Sequence, residues 1–111
     1  MILLDTNVVA ELMKAAPEQS VLFWISAQPQ SSLYTTSITQ AEILPGIALL
    51  PSGKRRRAIE AAAHAMFTEE FKDRILGFGS DAASPYAHIA AERRRAGRPI
   101  SSFDAQIAAI A

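Results

Sequence analysis

The sequence predicts an α/β fold: a three-layer α/β/α sandwich with helices on both sides of a mostly parallel sheet. Three observations lead there. The chain opens with Ile2-Leu3-Leu4, a continuous apolar run rather than an alternating one, as expected of a strand buried on both faces. Segments rich in β-branched and aromatic residues then alternate with segments of helical periodicity, the pattern of parallel βαβ units. With 111 residues, 50% of them apolar and 20% charged, the chain is long enough for one domain with a real core, and its composition excludes a disordered polymer.

The elements follow in order. After the first strand, Asp5-Thr6-Asn7 turns the chain into a short helix, about Val8 to Lys14, ended by Ala15-Ala16-Pro17. A second helix carries Val21, Leu22, Trp24 and Ile25 at helical spacing and stops before Pro29. Leu33 to Ile38 reads as the second strand from its Tyr, Thr and Ile content. Ala41 to Leu50 reads as a helix, and Pro45 should kink it by removing one donor and crowding the carbonyl four residues back. Pro51-Ser52-Gly53 is a break. Lys54 to Glu70 forms a helix with an inward stripe of Ile59, Ala62, Ala63, Met66 and Phe67. Arg74 to Phe78 is the third strand, with Asp81 placed to cap the next helix, Ala82 to Ala96. That helix has Tyr86, Ile89 and Ala90 on one face, and Gly97 then Pro99 stop it. A last helix begins at Ser101, and its apolar pattern is still running at Ala111. The expectation is a single domain over residues 1–111 that lacks its C-terminal strand and is therefore incomplete at that end.

Eleven basic and eleven acidic residues cancel, so bulk charge selects no partner. Their placement is more informative, since eight of the eleven basic residues fall in Lys54-Arg55-Arg56-Arg57 and in Arg93-Arg94-Arg95 with Arg98. The second patch ends a helix, where cations suit the dipole; the first begins one, where the dipole disfavours them. Phosphate contact is a reason for such a cluster, because nucleic-acid affinity rests largely on Lys and Arg. There is no cysteine, which excludes disulfides, thiolate metal sites and cysteine nucleophiles. The chain has neither a basic leader nor an apolar stretch long enough to span a membrane, and the expected location is the cytoplasm.

Three acids stand at the joints of these elements. Asp5 follows the first strand, at the sheet edge where open α/β folds collect ligands. Glu42 lies near one helix start and Asp104 near another. Each alone has a structural explanation. Asp5 can cap the following helix, Thr39-Gln40-Ala41-Glu42 fits a capping box, and Ser101-Ser102-Phe103-Asp104 fits a capped start. Thr6 and Asn7 suit turn chemistry or support of a site equally well. Taken together, three carboxylates at one sheet edge repel unless protonated or bridged by a cation. A hard ion such as Mg2+ takes one or two carboxylates, keeps several waters and leaves room for phosphate oxygens. The reaction class is then metal-assisted hydrolysis of a phosphodiester.

Other constellations carry less. His64 and His88 have no second ligand nearby in sequence, and Gly77-Phe78-Gly79 lacks the rest of a dinucleotide fingerprint. A phosphatase of the haloacid-dehalogenase type would need an aspartate at the position of Asn7.

With these residues identified, the chain resembles PIN-domain ribonuclease toxins of the VapC type, from bacterial toxin–antitoxin pairs. The resemblance runs from Met1 to the last residue. It is carried by Ile2-Leu3-Leu4-Asp5-Thr6-Asn7-Val8, by Ser37-Ile38-Thr39-Gln40-Ala41-Glu42-Ile43 with Gly46-Ile47-Ala48, and by Gly97-Arg98-Pro99-Ile100 leading to Asp104-Ala105-Gln106-Ile107-Ala108-Ala109. It implies a PIN fold, endoribonuclease activity on RNA dependent on Mg2+ or Mn2+, a small cognate antitoxin as inhibitor, and a homodimer. It places Asp5, Glu42 and Asp104 as metal ligands and catalytic residues, with Thr6 and Asn7 supporting them. Lys54, Arg55, Arg56, Arg57 and Arg98 would hold the RNA. Two departures stand out: Pro45 one turn beyond Glu42, and the absence after Asp104 of a further strand with another acidic residue. The second gives the rival expectation, a weak or inactive truncated domain that binds an antitoxin or a dimer partner without cutting.

Overall fold

The computed structural model describes residues 1–111 and contains a three-stranded parallel sheet with six α-helices. Strand β1 is Ile2–Leu3, followed by α1, Thr6–Leu12, and α2, Gln19–Ser26. A short 3-10 turn, Gln30–Ser32, leads into β2, Leu33–Thr36, and α3, Ser37–Ala48. Then come α4, Lys54–Ala65, a π-helical turn over Met66–Glu70, β3, Ile75–Leu76, α5, Ser80–Arg95, and α6, Ser102–Ile110. Strand β2 is central: Ile2 pairs with Leu33 and Leu3 with Tyr34 on one side, Thr35 with Ile75 and Thr36 with Leu76 on the other. No helix is long and apolar enough to cross a membrane.

The main core draws on α1, β2, α3, α4 and the π-helical turn, and on residues just after β1, α1 and that turn. Leu4, Val9, Met13, Leu33, Ile47, Ala63, Met66, Phe67 and Phe71 form one buried cluster. The expected stripe on α4 is therefore present, with Ile59 packed against its edge. Its helix does not stay regular. The Phe71 amide donates to the Met66 carbonyl at 2.9 Å, a five-residue hydrogen bond, and this wider turn accompanies the burial of Met66, Phe67 and Phe71 together. Helices α5 and α6 pack on each other, with Ala82 and Ala105 buried, and α6 also touches α3. Helix α2 is only loosely seated: Val21 and Ile25 are half-buried, whereas Leu22, Phe23 and Trp24 are exposed. The loop before it is tied by Glu11, which accepts from Lys14 Nζ at 2.9 Å and from the Glu18 amide at 3.1 Å. The Lys14 hydrogen bond is the main reason the Glu11 carboxyl is held below the usual range.

Several boundaries differ from those read in the sequence. The second strand ends at Thr36 rather than Ile38, because Thr36 is the N-cap of α3: its hydroxyl accepts from the Thr39 amide at 3.0 Å. The cap expected at Thr39 thus sits one turn earlier, at Thr36, as a single hydrogen bond rather than a capping box, and Glu42 is released from that role. Pro45 removes a donor, yet α3 continues through it to Ala48. The third strand shrinks to Ile75–Leu76. Asp81 is not an N-cap, since α5 starts at Ser80 after Gly79 and Asp81 lies in its first turn, where its charge suits the dipole. The Asp104 helix begins as expected, with Ser101 Oγ accepting from the Asp104 amide at 3.1 Å.

One buried group in β2 is out of place energetically. Thr35 is fully buried and its hydroxyl has no partner within the protein. An unpaired buried hydroxyl costs about 1–3 kcal/mol. Thr35→Val keeps the shape and the Thr35 amide bond to the Arg74 carbonyl, 3.0 Å, while removing that hydroxyl. The expected result is a higher urea midpoint at an unchanged slope, equivalent to a gain of about 1 kcal/mol in stability. A lowered midpoint would mean that the hydroxyl is satisfied.

Candidate active site

The site is built where β1 and β2 hand over to their helices. Asp5 leaves β1 in extended conformation and N-caps α1, its Oδ1 accepting from the Val8 amide at 3.0 Å. The capping role read in the sequence is real, and it occupies only one carboxylate oxygen. Asp5 is exposed, so the other oxygen faces solvent with no partner in the protein.

Thr6, the first residue of α1, reaches across to the other crossover. Its Oγ1 donates to Glu42 Oε1 at 2.8 Å and lies 3.1 Å from Thr39 Oγ1. A strand end from the start of the chain is thereby tied to a helix 36 residues later. Glu42 is half-buried on α3, and one of its oxygens is committed to Thr6. Behind it, Thr36 and Thr39 are fully buried, and the Thr36 hydroxyl donates to Thr39 Oγ1 at 3.3 Å. Asp5 and Glu42 therefore belong to one place, with Thr6 between them.

Asp104 stands on the third residue of α6, exposed, with its backbone amide used by Ser101 and its carboxylate unpaired. Because α6 packs against α3, the helix bearing Asp104 is a neighbour of the one bearing Glu42. The acids do not form a closed cage: no three acidic or imidazole side chains stand close enough to share one ion. Their chemistry nevertheless fits a hard divalent ion, which asks for one or two carboxylate oxygens and completes its shell with water. Asp5 and Glu42 each keep one carboxylate oxygen without a partner in the protein. Asn7 is exposed and makes no side-chain hydrogen bond.

The basic cluster is divided by the structure. Arg56 is taken up internally, pairing with Glu60 at 2.6 Å and donating to the Leu50 carbonyl at 3.3 Å. Lys54, Arg55 and Arg57 remain exposed at the start of α4, and Arg98 is exposed after α5. Lys54 and Arg55 edge a groove of about 1060 Å³ between α1, α3 and α4, whose floor includes Leu12, Ile43, Ile47 and Ile59. Ile43 follows Glu42 in the sequence but faces the groove, whose lining includes none of Asp5, Thr6, Glu42 or Asp104.

Sequence reasoning missed Thr36 altogether as a site residue and read Thr39 only as a cap. The available signal was the density of hydroxyls in Thr35-Thr36-Ser37-Ile38-Thr39, at the same kind of strand-to-helix joint as Asp5-Thr6.

Comparison with known proteins identifies the family. The PIN domain family pattern matches residues 2–111. The chain is 41% identical over 111 residues to a VapC ribonuclease, Y4jK, of Sinorhizobium fredii, covering all of this chain and 79% of that protein. It is 35% identical over its whole length to toxin FitB of Neisseria gonorrhoeae, spanning 80% of it. Among solved structures, FitAB bound to an IR36 DNA fragment superposes with a TM-score of 0.89 at 34% identity, over 99% of this chain and 77% of that one. Another, FitAcB from Neisseria gonorrhoeae, gives a TM-score of 0.83 at 32% identity, over 99% and 79%. With its parallel sheet, its Asp5–Thr6–Glu42 joint and these full-length matches, this chain belongs to the PIN-domain family of VapC-type toxins.

Proposed function

We propose that this PIN-domain protein is a metal-dependent endoribonuclease, the toxin of a type II toxin–antitoxin pair, working in the cytoplasm. The observation that supports the reading is the 2.8 Å hydrogen bond from Thr6 to Glu42, which ties Glu42 to the residue that follows Asp5. The relatives named VapC ribonuclease and toxin FitB point the same way.

Asp5, Glu42 and Asp104 are the residues that would hold Mg2+ or Mn2+. Such an ion supplies charge neutralisation at the scissile phosphate and a nucleophilic water at neutral pH. The protein contributes the rest. Asp5 is oriented by its cap to the Val8 amide and Glu42 by Thr6, so neither carboxylate has to reorganise when substrate arrives. Lys54, Arg55, Arg57 and Arg98 offer cationic contacts to an RNA backbone, whereas Arg56 is already paired. The groove between α1, α3 and α4, lined by apolar side chains together with Lys54 and Arg55, suits an apolar segment bearing acidic side chains and supports a small antitoxin as inhibitor. The exposed Leu22, Phe23 and Trp24 of α2 leave apolar surface free for a homodimer.

The test is calorimetric and catalytic together. Millimolar Mg2+ or Mn2+ should raise the melting temperature of the wild-type chain by about 10 °C if the ion is at about 100 times its Kd, where it stabilises the folded state by about 2.7 kcal/mol. Asp5→Asn and Asp104→Asn should each shrink that shift, and a chelator should abolish cleavage of a mixed RNA pool. A melting curve indifferent to both ions, with cleavage that survives the chelator, overturns the proposal.

A further inference from the structure

We propose that Thr39, backed by Thr36, is a positioning residue whose hydroxyl commits the Thr6 proton to the Glu42 carboxylate. This rests on the reading of Glu42 as a site carboxylate and adds a layer behind it.

An ionised carboxylate only accepts, so the 2.8 Å contact must use the single proton of the Thr6 hydroxyl. Thr6 can then only accept at its 3.1 Å contact with Thr39, which obliges Thr39 to donate. With its proton spent, Thr39 accepts from the Thr36 hydroxyl at 3.3 Å. Thr36 in turn accepts from the Thr39 backbone amide at 3.0 Å, the bond that caps α3. Every link has one allowed direction, from the helix cap through three hydroxyls to Glu42.

Burial makes the direction matter. Thr36 and Thr39 are fully buried, so neither hydroxyl can turn to solvent for an alternative partner. Thr6 is only half-buried, and its proton could turn to Thr39 Oγ1 instead of Glu42 if the 3.1 Å contact ran the other way. Donation by Thr39 closes that option and leaves Glu42 as the acceptor within the protein for the Thr6 proton. The N-cap of α3 and the orientation of Glu42 are therefore a single device, and the fold that forms the helix also aims the carboxylate.

Removing the Thr39 hydroxyl without changing its shape tests this. Mn2+ titrations by calorimetry would compare wild type with Thr39→Val, Thr39→Ser, Thr6→Val, Glu42→Gln and the Thr6→Val/Thr39→Val pair. Thr39→Val should weaken Mn2+ binding by roughly tenfold, the usual scale for partners that orient metal ligands. Thr39→Ser, which restores the donor, should bind near the wild-type value. Once Thr6→Val has cut the chain, adding Thr39→Val should cost nothing more, whereas a role in general packing would add its own loss. If Val at 39 prevents folding, Thr39→Ala, which also lacks the hydroxyl and suits a helix, takes its place.

Wild-type binding by Thr39→Val, alongside loss in Glu42→Gln, overturns the hydroxyl chain and leaves the metal reading intact. Equal weakening by Ser and Val, or an additive loss in the double variant, overturns it as well. Unchanged Mn2+ binding by Glu42→Gln instead strikes the reading beneath it.

Discussion

Glu42→Gln is expected to lower RNA cleavage by roughly a hundredfold or more, since even outer partners of a metal site are worth about 10- to 100-fold. The folded state should scarcely notice. Gln keeps an Oε1 that accepts from Thr6, keeps the length of the side chain and suits the helix as well as Glu does. What changes is the charge offered to a hard cation, for which an ionised carboxylate is the better ligand. Unfolding by urea should therefore differ by no more than about 0.5 kcal/mol, the range of substitutions that break no structural feature. Cleavage rates at matched Mg2+ and protein concentrations decide the matter. An active Glu42→Gln would reduce Glu42 to a hydrogen-bond acceptor for Thr6 and nothing more.

Phe67→Ala should be the most damaging change to stability. Phe67 lies in the π-helical turn after α4, buried with Met66, Phe71 and Leu33 in the main cluster. Truncating a buried phenylalanine costs about 3–5 kcal/mol through lost transfer energy and an unfilled cavity. Native domains hold only about 5–15 kcal/mol in total, so the variant should be near the edge of folding at room temperature. Phe23→Ala is the control, because Phe23 is 79% exposed on α2 and its loss should fall within about 0.5 kcal/mol. Equal effects at the two positions, measured by urea unfolding, would place the core elsewhere.

Much of the fold was legible in the sequence because its signals are local. The apolar run Ile2-Leu3-Leu4, the stripe from Ile59 to Phe67 and the stop at Gly97 each depend on residues within a few positions of one another. The boundaries that moved did so where two local signals competed. At Thr35-Thr36-Ser37-Ile38 the β-branched residues argued for a longer strand, while the Thr36 hydroxyl bonded the Thr39 amide and began the helix earlier. At Met66 the helical stripe gave no sign of the π turn, because the five-residue bond from Phe71 accompanies burial against a core assembled from distant segments.

The same division runs through the site. The sequence by itself singled out Asp5, Glu42 and Asp104 as the candidate acids, and read Asp5 and Asp104 at capped helix starts, where the structure has them. Only the tertiary structure decided that Glu42 is held by Thr6 rather than by its own helix, and that Arg56 is spent on Glu60. It also decided that Thr36 and Thr39 stand in a line behind Glu42. The physical reason is separation: the bonds from Thr6 to Thr39 and to Glu42 join residues 33 and 36 apart, and they exist because β1 and β2 pair in parallel register and bring their carboxyl ends together. A hydroxyl carries no mark in the sequence of the partner it will find across a sheet, and the pairing of the strands is what supplies that partner.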